Sequence, residues 1–111
     1  MAVVNRFPRA GERLTVKDAV INVAVGTSTS IVGAVTAKKI RVNGLCIATA
    51  SAGAITFQGS TTVLTGVIPL AANSPMVLPF SEAGYFETLA GQFLAVTNTS
   101  TMDGCLTYTE L

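Results

Sequence analysis

The sequence predicts an all-β protein, a jelly-roll-like β-sandwich of about eight strands with an extended N-terminal arm, and three observations carry that expectation. Short β-branched runs recur between Gly, Pro, Ser and Asn, no segment holds a helical apolar period beyond a turn or two, and charge is scarce. Hydrophobic residues make up 50% of the 111-residue chain and charged residues only 12%, about half the charge usage of an ordinary soluble protein. Such a surface must be covered by small polar residues, here 15 Thr and 7 Ser, or by a partner. The length suits one core, and an immunoglobulin-like sandwich stays open because periodicity does not settle strand order.

Residues 1–18 differ from the rest. They hold four basic and two acidic residues, Pro8 and Gly11, without sustained alternation, and read as an extended basic arm in front of a sandwich domain over 19–111. The first strand is expected over 20–25, closed by Gly26 and a Thr/Ser run at 27–30 that resembles a surface turn. A second strand spans 30–35. The longest candidate runs from about Lys38 to Ala50, with Ile40, Val42, Gly44, Cys46 and Ala48 on one face and Arg41, Asn43, Leu45, Ile47 and Thr49 on the other. Ile55 and Phe57 share a face of the strand over 54–58. The strand expected over 61–70 contains Pro69, which marks an edge, bulge or end because proline cannot donate to a ladder. The run 75–80, bracketed by Pro75 and Pro79, is an edge or rim strand. Two final strands are expected over 92–97 and 105–110, separated by turn residues at 98–104.

The chain has no histidine, so the commonest general base and metal ligand near neutral pH is missing. Glu82 and Glu87 are the closest carboxylate pair, and a hydrolase would have to rest on them. Both fall in a Gly- and Tyr-containing loop, where solvated acids are the expectation. No catalytic residue, metal site or cofactor is assigned, and the protein is expected not to be an enzyme. Cys46 and Cys105 are expected to be free thiols acting as small buried hydrophobes rather than a bridge. The start of the chain has no apolar core of signal-peptide length, and no run approaches the roughly 18 apolar residues of a spanning helix. A soluble protein made in the cytoplasm, without a membrane partner, is the expectation.

All seven basic residues lie at or before Arg41. Lys38, Lys39 and Arg41 form the densest patch, open to protein contact, to nucleic acid phosphate or to plain solvation. A net charge of +1 and the lack of an aromatic ladder argue against specific nucleic-acid binding. Phe57, Phe80, Phe86, Phe93 and Tyr108 are expected inside the sandwich or at its ends. Tyr85, beside Gly84, is the aromatic best suited to an exposed contact. Leu45 and Ile47 suit either a core or a seam between subunits.

From Lys39 to the C-terminus a series of short pieces carries a likeness. They are Lys39-Ile40-Arg41-Val42, Ile55-Thr56-Phe57, Leu64-Thr65-Gly66, Pro69-Leu70-Ala71-Ala72-Asn73, Leu78-Pro79-Phe80, Gly84-Tyr85-Phe86-Glu87-Thr88, Gly91 and Gly104-Cys105-Leu106-Thr107-Tyr108. In order and spacing the series resembles small jelly-roll virion proteins of tailed bacteriophages, some of which decorate or cement the head as trimers. The resemblance implies a non-enzymatic capsid decoration protein on the outer surface of the virion, a homotrimer whose partner is the major capsid protein. The arm lies outside the matched pieces. Its Arg6, Phe7, Arg9, Arg13 and Lys17 are the expected capsid contacts, and Lys38, Lys39, Arg41, Leu45, Ile47 and Tyr85 the expected protein interface. The alternative is a head-fibre or tail module that binds a host-surface glycan through Tyr85 and the polar segments 27–30 and 98–101.

Overall fold

The computed structural model describes residues 15–111, and these form ten strands and no helix. The strands are β1 (Val16–Val23), β2 (Gly26–Val32), β3 (Ile40–Thr49), β4 (Gly53–Gly59), β5 (Thr62–Val63), β6 (Ile68–Leu70), β7 (Met76–Leu78), β8 (Phe86–Glu87), β9 (Leu94–Asn98) and β10 (Met102–Glu110). They make two five-stranded sheets. The first runs β1-β10-β3, with β7 and β8 end to end along the far side of β3. The second runs β2-β9-β4, with β5 and β6 both along β4. Every pairing is antiparallel.

The two sheets bury their alternating apolar residues against each other. Ile21 and Val23 of β1, Leu106 and Met102 of β10, and Ile40, Val42, Leu45 and Ile47 of β3 meet Val32 of β2, Ile55 and Phe57 of β4, and Leu94 and Val96 of β9 in one core. Phe57 is the largest fully buried side chain, and its ring packs against Phe86 with centroids 5.0 Å apart. Each such aliphatic or aromatic side chain contributes about 1.5–3 kcal/mol on leaving water, and this one core joins the two sheets.

Four expectations about the strands change, and the cysteines expected to be buried are exposed. The Thr/Ser run at 27–30 is part of β2, paired with β9, and the chain turns at Ala24 and Val25 instead. The strand expected over 61–70 divides into β5 and β6, with Pro69 in an edge strand that has only β4 beside it. Together with the two-residue β8, that division accounts for ten strands where about eight are expected. β1 begins at Val16, so Val16, Lys17 and Asp18 pair with β10 and belong to the sheet. The rest of the arm, including Arg6, Phe7, Arg9 and Arg13, lies outside the described residues.

The fourth change carries the most structure. β3 does not keep one phase along its length: Val42 pairs with Tyr108 and Gly44 with Thr107, leaving Asn43 as an extra residue. A bulge of this kind flips the faces beyond it. Ile40 and Val42 therefore point inward before the bulge, and Leu45, Ile47 and Thr49 point inward after it, while Cys46 turns to solvent.

Candidate protein interface

The alternation that buries Ile21, Leu106 and Leu45 throws their neighbours onto the outer face of the first sheet. Register then aligns them. Val20 lies opposite Cys105, Cys105 opposite Cys46, and Cys46 opposite Val77, so one apolar row crosses four strands. Three interstrand spacings make that row about 14 Å long. Val20 is 81% exposed and Val77 60%, and both cysteines are exposed. Phe80, expected in the sandwich interior or at its ends, adds a ring that is 57% exposed on this side. A shallow depression of about 200 Å³ beside the row is lined by Cys46, Cys105, Val77, Phe80, Gly44 and Thr107. Asp18 flanks the row on one side, and Asn22 and Asp103 on the other.

The outer face of the second sheet is different in kind. Thr97 Oγ1 donates to Gln58 Oε1 at 2.7 Å, Ser28 Oγ donates to the same oxygen at 3.1 Å, and the Ser28 N–H donates to Thr97 Oγ1 at 3.0 Å. Those side chains satisfy one another, whereas the apolar row satisfies nothing until something covers it.

The ion pairs of Lys17, Lys39 and Arg41 gather at one end of the first sheet, away from the apolar row. Lys17 Nζ donates to Glu110 Oε1 at 3.0 Å, and that hydrogen bond and charge raise the lysine above its ordinary value. Arg41 Nε donates to Glu87 Oε1 at 2.9 Å, and Lys39 Nζ stands 3.5 Å from Oε2 of the same carboxylate. Burial pushes Glu87 up, but Arg41 and Lys39 outweigh it and hold the carboxyl below its ordinary 4.5. The basic patch around Arg41 is thus partly neutralised from within the chain. Lys38 lies in the exposed turn leading into β3.

Leu45 and Ile47, expected on a core or a seam, are core residues at 4% and 1% exposure. The bulge gives the surface at this level to Cys46. Tyr85 is 43% exposed, and its hydroxyl donates to the Pro79 carbonyl at 2.6 Å. Glu82 is exposed, and Glu87 is committed to Arg41 and Lys39, so the two acids have different surroundings. Among the described residues no group of three His, Cys, Asp or Glu side chains is placed to hold a metal ion. Sequence reasoning passed over Val20, Val77 and the cysteine pair as surface residues. For Val20 a signal was there: it is out of phase with Ile21 and Val23 and shares a face with Asn22.

No family model, curated protein or solved structure matches this chain.

Because Glu87 is held below 4.5 in the fold, its ion pairs contribute stability above that pH and lose it as pH falls through the lowered value. Glu87→Gln is expected to cost at most about 1 kcal/mol at pH 7, given a carboxylate about a third exposed, and the difference from wild type should vanish in acid. Urea unfolding of both proteins across pH 3 to 7 measures it; a gap that widened toward acid would contradict this account.

Proposed function

We propose that this chain is a capsid decoration protein of a tailed-phage head, a non-enzymatic jelly roll that seats on the outer surface of the virion as a homotrimer and ties neighbouring capsomers together. The exposed apolar row Val20, Cys105, Cys46 and Val77, with Phe80 beside it, is the observation that carries the reading. An apolar stripe on a sheet of a sparsely charged body suits a dry protein contact. Strand order supports the jelly roll: β1-β10-β3-β7 lies in one sheet and β2-β9-β4-β5 in the other, and the chain crosses between them at β1–β2, β2–β3, β3–β4, β6–β7, β8–β9 and β9–β10. The series of short pieces from Lys39 onward supports the same assignment.

The mechanism is mechanical. A protein that bridges capsomers adds contact area that must be lost before they separate under the pressure of packaged DNA. Three copies engaging at once turn weak contacts into high avidity. The arm supplies Arg6, Arg9 and Arg13 toward acidic groups of the major capsid protein, with Phe7 as an apolar contact beside them. The glycan alternative has less to draw on, since the Tyr85 hydroxyl is taken by Pro79 and the 27–30 segment is a paired strand.

Binding to expanded heads assembled without the protein tests the proposal. Val20→Asp places a carboxylate in the contact and is expected to weaken binding at least about tenfold, roughly 1.4 kcal/mol, with the fold unchanged. Deleting residues 1–14, which stops short of β1, should abolish binding and leave the body folded. Full binding by both variants would overturn the assignment.

A further inference from the structure

We propose that Cys46 and Cys105 form a surface dithiol that closes reversibly into an intramolecular disulfide by exchange with a small-molecule disulfide. Three observations meet at this pair. Cys46 and Cys105 are directly opposed across the β3–β10 ladder. Both are free and exposed on the same outer face. They are also the only two cysteines of the chain, so neither has another intramolecular partner.

Ladder geometry brings them within reach. Opposed residues of antiparallel strands have Cα atoms about 4.5–5.5 Å apart, inside the roughly 4.4–6.8 Å that a disulfide spans. Their Cβ atoms stand about 4.5–5.5 Å apart, slightly wider than the 3.5–4.5 Å of a relaxed bridge. Closure therefore draws two stiff strands together, and the bond belongs with the readily reduced, switchable kind rather than the permanent structural kind. The flanking residues of the row, Val20 and Val77, offer no polar group to compete for the thiols.

The chemistry is thiol–disulfide exchange. The thiolate of one cysteine attacks a sulfur of the oxidant RSSR, forming a mixed disulfide and expelling RS⁻. The second cysteine, having lost its proton, attacks the protein sulfur of that mixed disulfide; the Sγ–Sγ bond forms and a second RS⁻ leaves. Two thiols are oxidised, one RSSR is reduced, and the two protons end on two RSH. Register, exposure and the lack of any other cysteine carry this closure whether or not the protein seats on a capsid.

The full-length reduced protein, incubated across a range of oxidised to reduced glutathione and quenched by acid and alkylation, gives the test by intact mass. Both free thiols are expected to disappear together, with the mass lowered by two hydrogens. Because the second attack is intramolecular, the glutathione adduct should stay at least about tenfold below its level in Cys46→Ser and Cys105→Ser, which can only hold it. Two stable adducts per wild-type chain, one stable adduct, disulfide-linked dimers, or thiols that stay reduced throughout would each overturn the proposal. Should either serine variant misfold, as read by circular dichroism, the wild-type mass alone decides.

Discussion

Gly104→Ala is expected to lower stability by about 3–5 kcal/mol, a large part of what a domain of this size has. Gly104 sits near the start of β10, between the two strands it pairs with, opposite Ile21 on one side and Ile47 on the other. Its φ is +151°, a conformation that side chains rarely adopt. A Cβ there would overlap the Cys46 carbonyl oxygen and meet the Cys46 carbonyl carbon and Ile47 Cα at 2.9 Å. All three are backbone or near-backbone atoms of the central strand β3, so no side chain can swing aside to make room. Either β10 shifts away from β3, breaking ladder bonds beside Met102 and Leu106, or the backbone adopts a strained conformation that costs about 1–3 kcal/mol by itself. Gly66→Ala is the control, since nothing lies within 4 Å of a Cβ at that position. Its effect should stay within about 0.5 kcal/mol. Chemical denaturation of the three proteins checks the contrast; a Gly104→Ala midpoint equal to wild type would mean that β10 and β3 are not packed this closely.

The strand pattern was legible where the local signal and the tertiary arrangement agree. Ile55 and Phe57 share the core face of β4 as their alternation requires, and Pro69 stands in an edge strand because it has no N–H to give a second neighbour. What the sequence hid is the phase of β3. Nothing about Asn43 in isolation distinguishes a bulge from a regular strand position, and a strict period of two assigns Cys46 and Ala48 to the face of Ile40 and Val42. Once Asn43 is taken out of the ladder, Leu45 and Ile47 move into the core and Cys46 moves out beside Cys105. The apolar row was invisible for the same reason, because it exists only when four strands are aligned in register. Similarly, the Thr/Ser run of β2 reads as a turn on composition, yet it pairs with β9, and Thr97 Oγ1 and Gln58 Oε1 accept the hydrogen bonds that the Ser28 N–H and hydroxyl donate. The charged end was partly legible. Lys39 and Arg41 were visible as a patch, but their partner Glu87 reaches them only because β8 pairs with the first residues of β3.

The second large effect is expected at Asn43, where Asn43→Ala should cost about 2–3 kcal/mol and release the segment that presents Phe80 and Tyr85. Asn43 is 2% exposed, and its side chain makes three hydrogen bonds inside the protein. Nδ2 donates to the Ser81 carbonyl at 2.9 Å and to the Glu82 carbonyl at 3.3 Å, and Oδ1 accepts from Thr109 Oγ1 at 2.7 Å. The Asn43 carbonyl accepts the Ser81 N–H at 2.7 Å as well, so the bulge holds residues 79–85 through both its backbone and its side chain. Truncation leaves the buried Thr109 hydroxyl and two carbonyls without these partners, and such groups cost more unmade than the bonds contribute when made. Asn43→Asp should be worse at neutral pH, because a carboxylate can only accept and would face the two carbonyl oxygens that Nδ2 now serves. Thr109→Val removes one of the three bonds and is expected to cost about 1 kcal/mol. Hydrogen exchange separates a local from a global effect. In Asn43→Ala the Ser81, Gly84 and Tyr85 amides, which now donate to Asn43, Ser81 and Val42, should lose protection well beyond the global change in stability. The amides of the β10–β3 ladder should lose no more than that global amount. Equal loss at both sets would mean that Asn43 serves the core alone, and that the surface carrying Phe80 and Tyr85 is held by β7 and β8 without it.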